Sequence, residues 1–483
     1  MTPSHALERD MRRPHTNPDP AAPDTAVDIR NLPEPLSLRR MIGPGVVAVG
    51  IGMAAGEIIL WPYLTAIGGL GLLWLAFTTL AVQFVINMEI ERYTLATGQT
   101  VVAGFSRWWK GWGIVICLAG AFQYAWPGWA TSGSTVFMFL VGGGDVVWIT
   151  VASLVIVGAL LSISKVVYTT VERVELVKVG LTLFFLVVVV IFVISLSTWG
   201  EGARETVTGF GQIPEGITFT LLLSAIGAAG AGGVHNLVLS NWIRDKRYGM
   251  GVHVPRLISP ITGQEEAAGT DRYQLAVDEE NLSRWSVWWK RSNAEHLVTF
   301  VAVCFVTITI MSLLAYETLF GRDDLKSDAS FLRIEADILA DQVGSWLKLL
   351  FLVMAAVSLW AAAMGLLDII GRVASDFLRR SYLMNSTRWT EPRLYLTVVW
   401  AEVVLGSAIL LAGFDQPIGL LIISTCAASV VTLLYSILLI RLNIRDLPVP
   451  VRLRGWRLGG MIIAICFYGF FAVAMVVTQL QRL

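Results

Sequence analysis

Charge is scarce in this sequence. Asp, Glu, Lys and Arg together make up 15% of its 483 residues, against about a quarter in soluble domains. With 55% hydrophobic residues and a mean hydropathy of +0.66, this excludes an ordinary water-soluble fold and points to a polytopic membrane protein. Cysteine is scarce too. Cys117, Cys304, Cys426 and Cys466 each lie inside an apolar run without CxxC spacing, so they read as small buried hydrophobes rather than disulfides or ligands. There is no P-loop, no GxSxG elbow and no HExxH motif, which leaves ATP-driven pumping and intramembrane hydrolysis without support. No enzyme activity and no bound cofactor are expected. No run of arginines suggests a voltage sensor. Basic and acidic residues balance at 36 each, so net charge does not call for nucleic acid, and only the placement of the charges is informative.

Long apolar runs are what the chain has in abundance. Windows of about 20 apolar residues place eleven spans near 41–62, 68–88, 112–134, 146–164, 174–197, 217–242, 296–316, 344–366, 394–413, 417–440 and 457–478. With the N-terminus inside, only Arg204, Arg322, Lys326, Arg333, Lys348 and Arg482 face outward. That asymmetry predicts a cytoplasmic N-terminus and an extracytoplasmic C-terminus in the cell (inner) membrane. The first 35 residues hold seven prolines and no apolar h-region, so residues 1–38 read as a disordered cytoplasmic tail rather than a secretory signal. Residues 39–483 form one transmembrane domain, with a cytoplasmic loop over 245–293 between spans six and seven. Tryptophans beside cations in Arg284–Arg291 predict an interfacial helix at headgroup level. The acidic outward stretch Arg322–Asp341 reads as a solvated loop.

Two spans are interrupted. The sixth carries four glycines between Gly227 and Gly233, followed at once by His235 and Asn236. The first reads Gly43-Pro44-Gly45 through Gly50, Gly52 and Gly56 to Glu57. Glycines at such spacing also serve close helix packing. An ionisable residue directly after them in both spans favours unwound backbone lining a cavity. Spans one and six are corresponding members of two five-helix halves, and matched breaks are the best sequence pointer to a transporter's midplane site. Unwinding frees carbonyl oxygens for a cation and leaves half-helix N-termini that favour negative charge. Glu57 is then a hard-cation ligand, a proton carrier or a structural cap. His235 is a proton relay or ligand, or a hydrogen-bonded packing histidine. Asn236 is an amide ligand or a helix cap.

Other polar residues in the spans carry less. Gln123 and Tyr124 precede Trp126-Pro127-Gly128, a predicted kink, and either face the cavity or bond between helices. Glu402 and Ser358 have the same two readings. Asp368 with Arg372, and Glu175 with Lys178, read as local helical pairs.

The Gly43-Pro44-Gly45 start, the broken first span, Ala96-Thr97-Gly98 after the second and His235-Asn236-Leu237 in the sixth together resemble Nramp transporters from about Arg39 to the tenth span. The resemblance implies an all-α integral membrane protein with the five-plus-five inverted repeat of the amino acid–polyamine–cation superfamily, plus an eleventh helix. It implies divalent-metal transport, often coupled to protons. The family's DPGN motif falls on Ala54-Ala55-Gly56-Glu57, and its MPH motif on Gly233-Val234-His235. Ala54 therefore replaces the Asp ligand, Glu57 the Asn ligand and Gly233 the thioether, and only His235 remains. The acidic residues of the family's third span are replaced around Gln123 and Tyr124.

Loss of the soft thioether turns the site away from Mn²⁺ and Fe²⁺ and toward a harder, partly hydrated ion such as Mg²⁺. The leading expectation is a secondary transporter of a divalent cation in the lipid bilayer. Glu57 is its metal ligand, Ala54, Gly233 and Asn236 complete the substrate site, and His235 couples protons. A transporter of a small organic solute on the same fold is the alternative, and a non-transporting sensor or scaffold is the third.

Overall fold

The computed structural model describes residues 28–163, 167–254, 273–322, 324–325, 328–384 and 386–481. Residues 1–27 of the expected tail and residues 255–272 of the 245–293 loop lie outside the described residues. Nine helices among the described residues are long and apolar enough to cross a bilayer. The third and sixth apolar runs are each built from two shorter helices, which completes the eleven expected spans.

The first half opens with α1, divided into α1a (Pro44–Gly52) and α1b, a π turn over Ala55–Leu60 that continues into Trp61–Gly68. There follow α2 (Leu73–Thr97), α3a (Lys110–Tyr124) and α3b (Gly128–Val141), α4 (Val146–Ile163) and α5 (Val167–Phe192). Pro127 parts α3a from α3b, because it has no amide hydrogen and disfavours helix at Trp126. The second half opens with α6a (Phe219–Ala228) and α6b (Val234–Asp245). It continues through α7 (Glu279–Leu319), α8 (Ser345–Ser381), α9 (Glu391–Leu411) and α10 (Pro417–Arg445). The last helix, α11 (Trp456–Leu480), stands outside both halves. Five-plus-five helices with a break opening each half is the architecture expected from the sequence.

Burial shows which helices form the centre. The apolar window of α1 is entirely inside the bundle, against 28% of that of α11. Val177, Phe184, Val187 and Ile191 of α5 are exposed at helical spacing, an apolar stripe suited to lipid. At the centre the two breaks touch backbone to backbone. A Cβ on Gly52 would lie 1.9 Å from the Gly230 carbonyl oxygen, and one on Gly56 would lie 2.0 Å from that of Ala228. Glycine at these positions is therefore a packing requirement of the α1–α6 contact.

Three expectations change. From Asp28 onward the tail is placed rather than disordered. Asp28–Arg30 pairs in parallel with Tyr273–Leu275, and the following residues lie along the first turns of α7. Leu32 N donates to Asn281 Oδ1 (2.6 Å), and Trp288 Nε1 and Arg291 Nη1 donate to the carbonyls of Pro33 (2.9 Å) and Leu36 (2.6 Å). Prolines lack a donor but keep their carbonyls, and these side chains meet them. Secondly, the helix expected over Arg284–Arg291 is present but is continuous with a span and partly packed inside the protein. It belongs to the helix Glu279–His296 that opens α7, where Trp285 and Trp288 are buried. Trp289 lies under the guanidinium groups of Arg92 and Arg457, 4.2 and 4.6 Å from the ring centroid, a cation–π arrangement that turns those charges inward. Finally, the Arg322–Asp341 stretch is not a plain loop, since Ser330–Gln342 is a helix with Phe331, Leu332 and Leu339 buried.

The Asp368–Arg372 pair is present (2.7 Å) and belongs to a larger buried network. Arg372 also binds Asp245, while Arg244 reaches Asp376 (2.8 Å) and Glu391 (3.2 Å). This ties the C-terminal end of α6b to α8 and α9, with each buried cation matched by carboxylates as burial demands.

Gly52→Ala and Gly56→Ala are expected to lower the thermal unfolding temperature or abolish folded protein, because overpacking costs about 1–3 kcal/mol even where neighbours can shift, and here the neighbour is backbone. Gly180→Ala, where a Cβ meets nothing within 4 Å, should be neutral. Thermal unfolding of the purified variants tests the pair of outcomes.

Candidate functional site

In an unbroken α1 the Ala54 amide would bond the Gly50 carbonyl. It bonds the Gly52 carbonyl instead (2.7 Å), and Ala54 adopts φ −147°, ψ −93°. The Gly50 carbonyl so released accepts from Lys178 Nζ on α5. Lys178 is fully buried and lies 3.5 Å from the equally buried Glu175. The expected local pair is there, but it also forms part of the break.

In α6 the chain leaves the helix after Ala228 and passes through Gly230 (φ 71°) and Gly233 (φ 65°), left-handed values that glycine adopts without strain. Four amides released there are met by side chains. Gly230 N donates to Glu57 Oε1 (3.0 Å), Ala231 N to Gln83 Oε1 (3.1 Å), Gly233 N to Thr432 Oγ1 (2.8 Å) and Val234 N to Gln123 Oε1 (3.2 Å). Gln123 Nε2 returns a bond to the Gly232 carbonyl (3.2 Å). Gln123 thus faces the cavity and also bonds between helices, satisfying both of the readings that its sequence position allowed.

Glu57 is fully buried, and its Oε2 has no hydrogen-bond partner among the described residues. Ala54 is buried at the kink, its carbonyl accepting from Ile58 N (2.8 Å). The Gly233 carbonyl accepts from Asn236 N (3.3 Å). Asn236 Nδ2 donates to Tyr435 Oη (2.8 Å), so its side chain reaches α10 rather than capping α6b, and Oδ1 is unmatched. His235 is buried edge-on to Trp242 (centroids 5.8 Å apart, 85°), with one ring nitrogen toward the Ala48 carbonyl and Nε2 unmatched.

Between the breaks is a small cavity lined by Gly52, Gly56, Gln123, Tyr124, Trp129 and His235, among others. Its free space is about 20 Å³, the room of about one water or one ion. Glu57 does not line it; its carboxylate is turned onto the unwound part of α6. A second space of about 20 Å³, sharing Tyr124, Trp129 and Leu366, contains Glu402, whose Oε2 also lacks a partner. Ser358 bonds Thr182 (3.3 Å). Among the described residues, no three or more His, Cys, Asp and Glu side chains stand together as a metal cage.

Sequence reasoning missed Gln83, Thr432 and the Lys178–Gly50 contact. Gln83, which with Asn87 interrupts the apolar run of α2, was a usable signal. Thr432 carried none, since it also bonds its own Ala428 carbonyl (2.9 Å), the ordinary state of a threonine in a membrane helix. The atoms left unmatched around the breaks include the Tyr124 hydroxyl, which lines the cavity and can donate or accept, and three acceptors. Glu57 Oε2, Asn236 Oδ1 and Nε2 of a neutral His235 donating through its other nitrogen are all lone-pair donors.

No protein-family model matches the sequence, and neither does any curated protein. Solved structures do match, at full length. A histidine-to-alanine mutant of the Eremococcus coleocola manganese transporter superposes with a TM-score of 0.64 at 14% identity, covering 95% of each chain. The same transporter in complex with an aromatic bis-isothiourea compound gives 0.63 at 15% identity over 94% of each chain. MhsT in complex with L-phenylalanine gives 0.55 at 13% identity, covering 94% of this chain and 100% of that one. One architecture thus accompanies both a metal ion transporter and one holding an amino acid. The chain has the fold of these transporters, as its likeness to Nramp proteins implied, and it is a multi-pass membrane protein.

Proposed function

We propose that the protein is a secondary transporter of a small cation, foremost a divalent metal, working by alternating access around the two breaks. The observation that carries this reading is the sign of the unmatched groups. The α6 amides that would favour an anion are taken by Glu57, Gln83, Gln123 and Thr432. What remains is the Tyr124 hydroxyl together with three acceptors, Glu57 Oε2, Asn236 Oδ1 and His235 Nε2, and the acceptors suit a positive charge.

Mg²⁺ is favoured over Mn²⁺ and Fe²⁺, because the unmatched donors are oxygen and imidazole, and Mg²⁺ keeps waters and needs few protein ligands. The thioether of Met53 at the α1 break accepts from Thr307 Oγ1 (3.2 Å). Glu175 offsets the charge of Lys178, and Glu57 is the carboxyl group beside the α6 break. The ion enters when α1 and α6 separate, since the present space holds about one water-sized particle. His235 is the group for proton coupling. This reading has the N-terminus in the cytoplasm, and the asymmetry of Lys and Arg supports it.

A small organic solute is the second reading. The aromatic wall of Tyr124 and Trp129 favours it.

In proteoliposomes the protein should take up Mg²⁺ faster than Mn²⁺, and Glu57→Gln should lower the rate at least about tenfold, the scale of losing one intramembrane charge contact. No flux of either ion through well-folded protein would overturn the metal reading and direct the search to organic solutes. An inward proton gradient should accelerate uptake by wild type and leave His235→Gln unaffected. Equal acceleration of both would remove His235 from proton coupling.

A further inference from the structure

We propose that the seam between α2 and α7 carries protons between the break in α6 and the end of the bundle that holds the N-terminal segment, with His296 as the relay. That the moving species is a proton rests on the proton-coupled reading above; the polar groups of the seam do not.

Gln83, Asn87 and Glu91 stand four residues apart on α2, so they share one face and span about 12 Å along it. Ser292, Glu295, His296 and Thr299, three or four apart, form the matching side of α7. None of the first six is more than 5% exposed. At one end Gln83 Oε1 accepts from Ala231 N in the α6 break (3.1 Å). One turn on, Asn87 Nδ2 lies 3.1 Å from His296 Nε2. With Nε2 accepting from the amide, the proton of the neutral ring is on Nδ1. Beyond them Glu91 faces Ser292 and Glu295. At the other end Glu295 Oε1 accepts from Thr299 Oγ1 and from Gly45 N in the first turn of α1a, each at 3.2 Å.

Polar residues between membrane helices also serve as plain interhelical bonds, and a seam with that duty alone would match them pairwise. Here Asn87 Oδ1, His296 Nδ1 and Ser292 Oγ are buried without a partner among the described residues. Buried atoms of this kind are where internal water binds, and an imidazole takes up a proton at one nitrogen while releasing it from the other. Two rings hold the imidazole in place. It stacks on Phe84 and Phe300 with centroids 6.2 and 4.7 Å away, and a Cβ on Gly230 would lie 2.8 Å from the Phe300 ring. The backbone widens into a π turn over Leu297–Val301 directly after His296, a feature frequent at functional sites. The charges that face Glu91 and Glu295 come from α5 and the segment after α6b. They are Glu172 and Lys246, bonded to each other at 2.7 Å, with the hydroxyls of Tyr168 and Tyr248 beside them. Glu89 and Arg92 of α2 pair with each other (2.7 Å).

The test is proton movement into proteoliposomes holding the full-length protein, driven by an inside-negative potential and read by an internal pH dye, with Mg²⁺ uptake measured on the same vesicles. Wild type should move protons. His296→Phe keeps a ring between Phe84 and Phe300, and should lower the protons moved per Mg²⁺ at least about tenfold, the loss expected of a positioned proton-transfer group. Asn87→Leu should do the same, and Glu402→Gln, buried outside the seam, should match wild type. Where thermal unfolding shows that a seam variant has not folded, Glu91→Gln replaces it with the same expected loss. Three results would overturn the proposal: an unchanged ratio of protons to Mg²⁺ in folded seam variants, a loss in Glu402→Gln as large as theirs, or no proton movement in wild type. The last, with Mg²⁺ uptake intact, leaves the metal reading standing. Protons that move without Mg²⁺ through wild type, and not through His296→Phe, would support the seam while the metal reading fails.

Discussion

The contact between two unwound backbones at the centre of the bundle is the constraint from which the rest follows. Irregular backbone in a hydrocarbon environment needs every released donor and acceptor to be met inside the protein. Gly52 and Gly56 allow α1 to lie against the Ala228 and Gly230 carbonyls, and that closeness brings side chains from four other helices to the breaks. Gln83 comes from α2, Gln123 from α3a, Lys178 from α5 and Thr432 from α10. Four polar side chains inside the apolar spans are therefore accounted for by two short stretches of chain.

The same bonding decides the chemistry of the cavity. A half-helix N-terminus attracts anions only while its amides are free. Here Gln123 spans the break, accepting from Val234 N and donating to the Gly232 carbonyl, so the start of α6b is closed to an anion. The carboxylate of Glu57 spends one oxygen on Gly230 and keeps the other. The same fold occurs in a manganese transporter and in MhsT with L-phenylalanine bound, so the helices supply the breaks and the side chains around them set the polarity of the cavity.

At the end of the bundle that carries the N-terminal segment, polar groups form a different structure. Arg244, Arg372, Asp245, Asp368, Asp376 and Glu391 are joined in one buried network between α6b, α8 and α9. Any motion that opens this end by moving α6b must separate Arg244 from Asp376 and Arg372 from Asp245. Breaking buried pairs without new partners costs about 3–5 kcal/mol each, so such motion requires the charges to exchange partners or gain water. Residues 31–36 are fastened to α7 alongside by Asn281, Trp288 and Arg291.

The sequence by itself determined the apolar spans, the two matched breaks and the presence of Glu57, His235 and Asn236 beside them, because hydrophobic length and glycine placement are local properties that the bilayer enforces. It also contained the Asp368–Arg372 and Glu175–Lys178 pairs, since neighbours three or four apart on a helix meet whatever else happens. Only the tertiary structure decided where those groups point. Glu57 turns to the Gly230 amide, Lys178 finds a carbonyl 128 positions away, and Trp289 receives Arg92 and Arg457 from remote helices. Each of these partnerships is set by which backbone groups the breaks leave unmet and which helix is near enough to meet them, and no periodicity along a single chain segment encodes that.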